Sequence, residues 1–179
     1  MKYLFRYSII FSFILTKLQY YYRKTINKKS THLDIVNLID DLHITKDSAP
    51  LSIYTLFKNI FKWVPDHFIF DFGKHPEVFM YDKKDDCDGY SFFYEYILKD
   101  IFQLPEVSRY YVLNEDFKGH VVCVYRSGPI FYIVGNWKPI PITANTLEAI
   151  GNEVSAKMNM KLKYVARFEK YEFKEDLYI

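Results

Sequence analysis

Cys87-Asp88-Gly89-Tyr90-Ser91-Phe92-Phe93-Tyr94-Glu95-Tyr96-Ile97-Leu98-Lys99-Asp100-Ile101-Phe102-Gln103 is the stretch that decides the fold. Its aromatic and aliphatic residues leave almost no polar face, so it reads as a helix buried on most sides. A helix so apolar needs a layer to pack on, and the chain that follows supplies one. Residues 109–113, 120–126 and 130–134 alternate as strands do, and Ser127-Gly128-Pro129 turns the second into the third. A helix over 147–158 and a strand over 162–173 complete the chain. Helices first and an antiparallel sheet after them make the class α+β.

Upstream, Thr31 with Asp34 forms a capping-box start for a helix over 33–42, whose Leu33, Val36, Ile39 and Leu42 repeat at helical spacing. Ser48-Ala49-Pro50 opens another, with Ile53, Leu56, Phe57, Ile60, Phe61 and Val64 on one face and Pro65 to stop it. Residues 66–85 read as a loop carrying Gly73, Pro76 and a charged run. The N-terminus begins basic and runs apolar over 7–15, like the first two parts of a secretory signal. No small-residue cleavage site follows, and Arg6 and Lys17 bracket a run too short to span a bilayer. Residues 1–22 are therefore expected to form an amphipathic helix whose Leu4, Phe11, Leu15, Leu18 and Tyr22 pack on the domain or on a protein partner; a signal or anchor there stays open. Residues 1–48 are a helical extension and 49–179 the domain.

The length of 179 residues suits one domain, and 17 Tyr and 16 Phe provide core material in excess. With 24 basic against 22 acidic residues the net charge is only +2, which leaves no footprint for nucleic acid or an anionic membrane. Two cysteines make no disulfide framework, so a reducing, cytoplasmic compartment is the default. The histidines show no metal-ligand spacing; no metal and no cofactor are expected. Richness in Lys, Asn, Ile, Phe and Tyr points to an AT-rich genome, compatible with a phage or a bacterium.

Chemistry enters at Cys87. A helix start offers unpaired backbone N–H groups and the positive end of the helix dipole, both of which favour thiolate over thiol. His120 opens a later strand, from which an imidazole can take the thiol proton and return it to a leaving group. Asn136, sixteen residues on and just past the next strand, is the candidate to orient that imidazole. Cys123 lies three residues beyond His120, on the opposite strand face, and reads as core. Asp86 and Asp88 read as helix caps. Trp63 and Trp137 are candidate walls of a substrate site.

Phe61-Lys62-Trp63-Val64-Pro65, His75-Pro76-Glu77, Asp86-Cys87-Asp88-Gly89-Tyr90, Gly119-His120-Val121-Val122 and Tyr132-Ile133-Val134-Gly135-Asn136 stand in this order over roughly residues 50–142. Together they resemble the transglutaminase-like superfamily, including its bacterial and phage cysteine proteinases. The resemblance implies a papain-like fold and a Cys-His-Asn/Asp type site, hence thiol acyl transfer on a polypeptide or peptide-amide substrate, by a peptidase, an amidase or a transglutaminase. Two departures matter. Members often carry Asp where this chain has Gly135, so either Asn136 orients His120 or the third position is empty. Papain-type enzymes carry a Gln six residues before the cysteine; Tyr81 stands at that place and joins Trp63 and Trp137 as a candidate substrate contact. The alternative function is a domain that kept the fold and lost catalysis, serving as a binding or assembly module.

Overall fold

A computed structural model describes residues 2–65 and 73–179. Three helices lead: α1 (Lys2–Thr25), α2 (His32–Asp41) and α3 (Ala49–Ile60). The expected capping box is in place, Thr31 accepting from the Asp34 N–H while the Asp34 carboxylate accepts from the Thr31 N–H. Helix α3 ends at Ile60, short of Pro65, because Lys62–Trp63 become β1 and pair in parallel with β2 (Lys84–Asp85). Between those strands lies α4 (Pro76–Asp82), where the sequence suggested only loop; His75 caps it and Pro76 takes the first position, a start signal that was there to be read. The part of the expected loop at 66–72 lies outside the described residues.

Helix α5 (Cys87–Glu95) runs on into a π-helical turn, Tyr96–Ile101. Six antiparallel strands follow, in the order β6-β5-β4-β3-β7-β8: β3 (Val107–Asn114), β4 (Gly119–Ser127), β5 (Ile130–Val134), β6 (Ile140–Ile142), β7 (Leu162–Glu169) and β8 (Glu172–Tyr178). Gly128 turns β4 into β5 with φ of +59°, a conformation glycine adopts without strain. The last expected strand is in fact a hairpin, β7 and β8, whose pairing runs to Glu169 opposite Glu172. Short β6 carries Pro141, tolerated because β6 is an edge.

The sheet separates two layers. Cys123, Tyr125 and Val134 face α2, α3, α4 and α5, where Ile35, Ile53, Phe79, Phe93 and Tyr94 are buried almost completely. Val122, Val124 and Ile133 face the other way, onto Ile150 and Val154 of α6 (Leu147–Lys157). A further pin is polar: Arg109 of β3 donates to the fully buried Glu95 at 2.8 Å, and its guanidinium lies between Phe92 and Phe168. Removing one partner of such a pair strands a buried charge.

Helix α1 lies across the end of the α5 side of the sheet. Ile9 and Phe13 are its buried residues, Thr16 donates to the Gly73 carbonyl at 2.8 Å, and Arg6 pairs with Asp176. The packing face thus differs from the expected one, because Leu4, Phe11, Leu18 and Tyr22 point to solvent.

Candidate functional site

Cys87 is the first residue of α5, with Asp86 as N-cap accepting from the Asp88 N–H at 3.3 Å. The capping role read from the sequence for Asp86 is therefore realised. Gly89 explains how the turn closes: a Cβ there would sit 1.9 Å from Asp85 Oδ2, so only glycine lets the helix start press onto that carboxylate. The thiol is half-buried against the cluster containing Ile9, Phe13 and Val121. Cys123 by contrast is fully buried in the core, and burial pushes its thiol well above the usual range.

His120 is the second residue of β4 and 6% exposed. Helix α5 packs on β4, and Cys87 lies against the cluster that contains Val121, the residue after His120. Asp86, next to Cys87, is the charged group that acts on the imidazole, raising its proton affinity; burial acts more strongly the other way and brings its pKa down to about 4. At neutral pH the ring is neutral and able to accept a proton.

The third position is different. Trp137 stacks on the His120 ring, centroids 5.0 Å apart and planes at 30°. His120 Nε2 and Trp137 Nε1 are both buried without a hydrogen-bond partner among the described residues. A Cβ on Gly135 would lie 4.0 Å from that Nε2 and 3.6 Å from Val122, so a side chain at 135 would be directed to the imidazole. Asn136 follows Gly135, which lines the same groove as Asn136. Asn136 is exposed in that groove of about 360 Å³, beside Trp63, Tyr54 and Tyr90. Of the three candidate substrate contacts, Trp63 lies on that groove and Trp137 lies on His120. Tyr81 lines neither; it is half-exposed on α4 beneath the guanidinium of Arg23.

One cluster has no counterpart in the histidine spacing. Carboxylate oxygens of Asp85, Asp86 and Asp88, all buried, lie within 4.8 Å of one another around Cys87. Their chain order, Asp85-Asp86-Cys87-Asp88, was the available signal, but caps and ligands are written with the same residue type. The Asp85 carboxylate also accepts from the Lys74 N–H at 3.0 Å, with the Lys74 ammonium at 4.0 Å.

No family model matches the chain, and no curated protein matches it in sequence. Solved structures do resemble it. Calcium-bound LapG of Legionella pneumophila superposes with a TM-score of 0.51 at 19% identity, over 78% of this chain and 77% of that one. EGTA-treated LapG gives 0.52 at 17% identity over the same shares, 78% and 77%. The fold is transglutaminase-like. At such identity the likeness carries the fold alone, with the Cys-bearing helix of this transglutaminase-like core packed on an antiparallel sheet, as the sequence led one to expect.

Proposed function

We propose that the protein is a thiol-dependent acyl-transfer enzyme acting on amide bonds, with Cys87 as nucleophile and His120 as its base and then acid. What supports this reading is the packing of α5 on β4, with Cys87 against the cluster containing Val121, the neighbour of His120, and with Asp86, the neighbour of Cys87, acting on the buried imidazole. The thiol proton passes to the imidazole as sulfur adds to the amide carbon; the amine leaves with that proton, and a thioester remains. Water or a second amine then takes the acyl group and regenerates the thiol. The Cys87 N–H, at the helix start, is placed to donate to the oxyanion. The groove bearing Trp63, Tyr54 and Asn136 offers apolar walls with an amide at the rim, suited to a peptide. Stacking by Trp137 orients the ring in place of an acid.

A second reading has its own support. Gly135 and the unsatisfied His120 Nε2 fit a domain whose orienting carboxylate is gone and whose role is binding or assembly. Alkylation with iodoacetamide near pH 7, read by peptide mass spectrometry, separates the two. The enzyme requires Cys87 to react faster than a free thiol and to slow at least about tenfold in His120→Ala. Cys123 is a poor yardstick, since burial alone protects it. A Cys87 rate indifferent to His120 would leave the binding role.

Because one structural neighbour is calcium-bound, the acidic trio bears on the same site. Three buried carboxylates close together, with the Lys74 ammonium 4.0 Å from one of them, are a hard-oxygen donor set of the kind calcium takes. Asp85, Asp86 and Asp88 would hold the ion, which would supply positive charge that fixes the turn carrying Cys87. Millimolar calcium should then raise the melting temperature, and EGTA or Asp88→Asn should abolish the rise; equal melting with calcium and with EGTA would remove the ion from the account.

A further inference from the structure

Helices α1 and α5 are seated very differently. Eight consecutive residues of α5, Asp88 to Glu95, are buried. Of the 24 residues of α1, only Ile9, Phe13 and Thr16 are buried among those described. No helix among the described residues is long and apolar enough to cross a membrane, and the support that the structure gives α1 is the domain. Beneath the helix the packing is incomplete. Ser8, Ser12 and Thr16 follow at four-residue steps and so share one face. With Phe5, Ile9 and Phe13 they roof a cavity of about 120 Å³, whose other walls include Asp88 and Phe92 of α5 and Val121 of β4. Small residues usually let a helix close onto its neighbour; here the space stays open, although interiors hold few voids larger than a water molecule. The remaining holds are polar and at the ends, Arg6 on Asp176 at one and Arg23 on Asp82 with Tyr20 on Glu77 at the other. Ion pairs in contact with water add little each, and an element with few buried apolar contacts opens more readily than the rest of a fold.

What lies against α1 is the seat of Cys87. The thiol packs on the cluster to which Ile9 and Phe13 belong, and Phe5 packs on the same cluster. The Thr16 hydroxyl donates to the Gly73 carbonyl at 2.8 Å. Gly73 in turn presses on the first turn of α5, since a Cβ there would stand 2.9 Å from the carbonyl carbon of Asp88. One face of α1 therefore meets both the cluster that shelters the thiol and the residue that backs its turn.

We propose that α1 is a detachable strap over Cys87: docked, it shields the thiol, and lifted, it lets reagents and substrates reach it. As regulation of the Cys87 site, this rests on the reading of that thiol as the reactive group. Hydrogen exchange of the full chain, run beside iodoacetamide alkylation near pH 7 and read at Cys87 by peptide mass spectrometry, tests it. Amides of α1 should exchange at least about tenfold faster than those of α5. Phe13→Ala removes a ring that packs on Phe168 with centroids 5.2 Å apart. It should speed both α1 exchange and Cys87 alkylation about fivefold. Ser8→Leu sends a side chain into the cavity and puts a better helix former into α1, and should slow both about threefold. In every variant the two rates should move together, which a helix that merely stabilises the fold would not require. Alkylation indifferent to His120→Ala but still following α1 exchange would remove the catalytic reading and leave the strap. Two results would overturn the strap: α1 amides as protected as those of α5, or a Cys87 rate that stays put, or moves the opposite way, when α1 exchange changes.

Discussion

The seats of Cys87 and His120 are built to different standards. Around Cys87 every polar group has work: Asp86 caps the helix, the Asp88 carboxylate accepts from the Gly89 N–H at 2.7 Å, and Asp85 holds the Lys74 backbone. Around His120 two buried ring nitrogens lack hydrogen-bond partners among the described residues, and the residue whose Cβ position lies nearest one of them is glycine. The first seat is part of the fold's own framework, because α5 must be buried for the domain to exist. On the proposed reading the second serves chemistry more than folding, so it can lose a group while the fold survives.

The largest expected effect breaks the first seat. Gly89→Ala places a methyl group 1.9 Å from Asp85 Oδ2 and 2.7 Å from Asp85 Cβ, where no rotation of a side-chain tip relieves it. The cost should be about 3 kcal/mol, seen in chemical denaturation, with reactivity at Cys87 lost along with it. A smaller value would mean that the helix start can shift, and that the first seat is looser than its contacts suggest.

Acid should expose the second seat. His120 takes a proton at about 4 when folded but near 6.5 when unfolded, so above pH 6.5 it costs nothing. Between pH 6.5 and 4 the unfolded chain binds the proton that the folded one refuses, and stability falls by up to about 3 kcal/mol. His75, also lowered to about 4 by burial, adds a slope over the same window. His120→Phe should remove only its own share, measured as the difference between urea midpoints at pH 7 and pH 4.5; an unchanged difference would mean that the ring is already protonated or solvated in the folded protein.

How much of this was legible follows the same division. The buried helix at 87, the alternating strands and the Thr31 capping box come from periodicity and local hydrogen bonding, which the sequence writes directly. Helix α4 was missed because seven residues are too few for a period, although Pro76 marked its start. The packing face of α1 was misjudged because both of its faces are apolar, and periodicity alone does not say which meets the domain. Strand parity bears on Gly135 and Asn136, yet the parity of a strand end depends on where its pairing stops, a tertiary fact. Pairing of β5 with β4 runs to Val134 opposite Cys123, and beyond it only the fold directs the chain.

A milder change refills the second seat. Gly135→Asp would direct a carboxylate to His120 Nε2, and an opposite charge at such a distance raises a proton affinity by about 1–3 units. The alkylation rate of Cys87 near pH 7 should rise about tenfold, and the acid slope should shrink, because the folded ring now accepts its proton nearer 6.5. If the rate stays put while the slope shrinks, the ring has gained its acid without being coupled to the thiol, which favours the binding role.

The smallest expected effect concerns Asn136. Its side chain is exposed on the groove with Trp63, so Asn136→Ala should change the alkylation rate of Cys87 by less than about twofold and stability by no more than about 0.5 kcal/mol. Trp63→Ala should be equally silent toward a small reagent, since iodoacetamide has no side chain to seat. A peptide substrate would respond to both, through KM, if the groove holds it. A loss of iodoacetamide reactivity in Asn136→Ala as large as that in His120→Ala would mean that the strand end turns over in solution and that Asn136, not the vacancy at Gly135, completes the second seat.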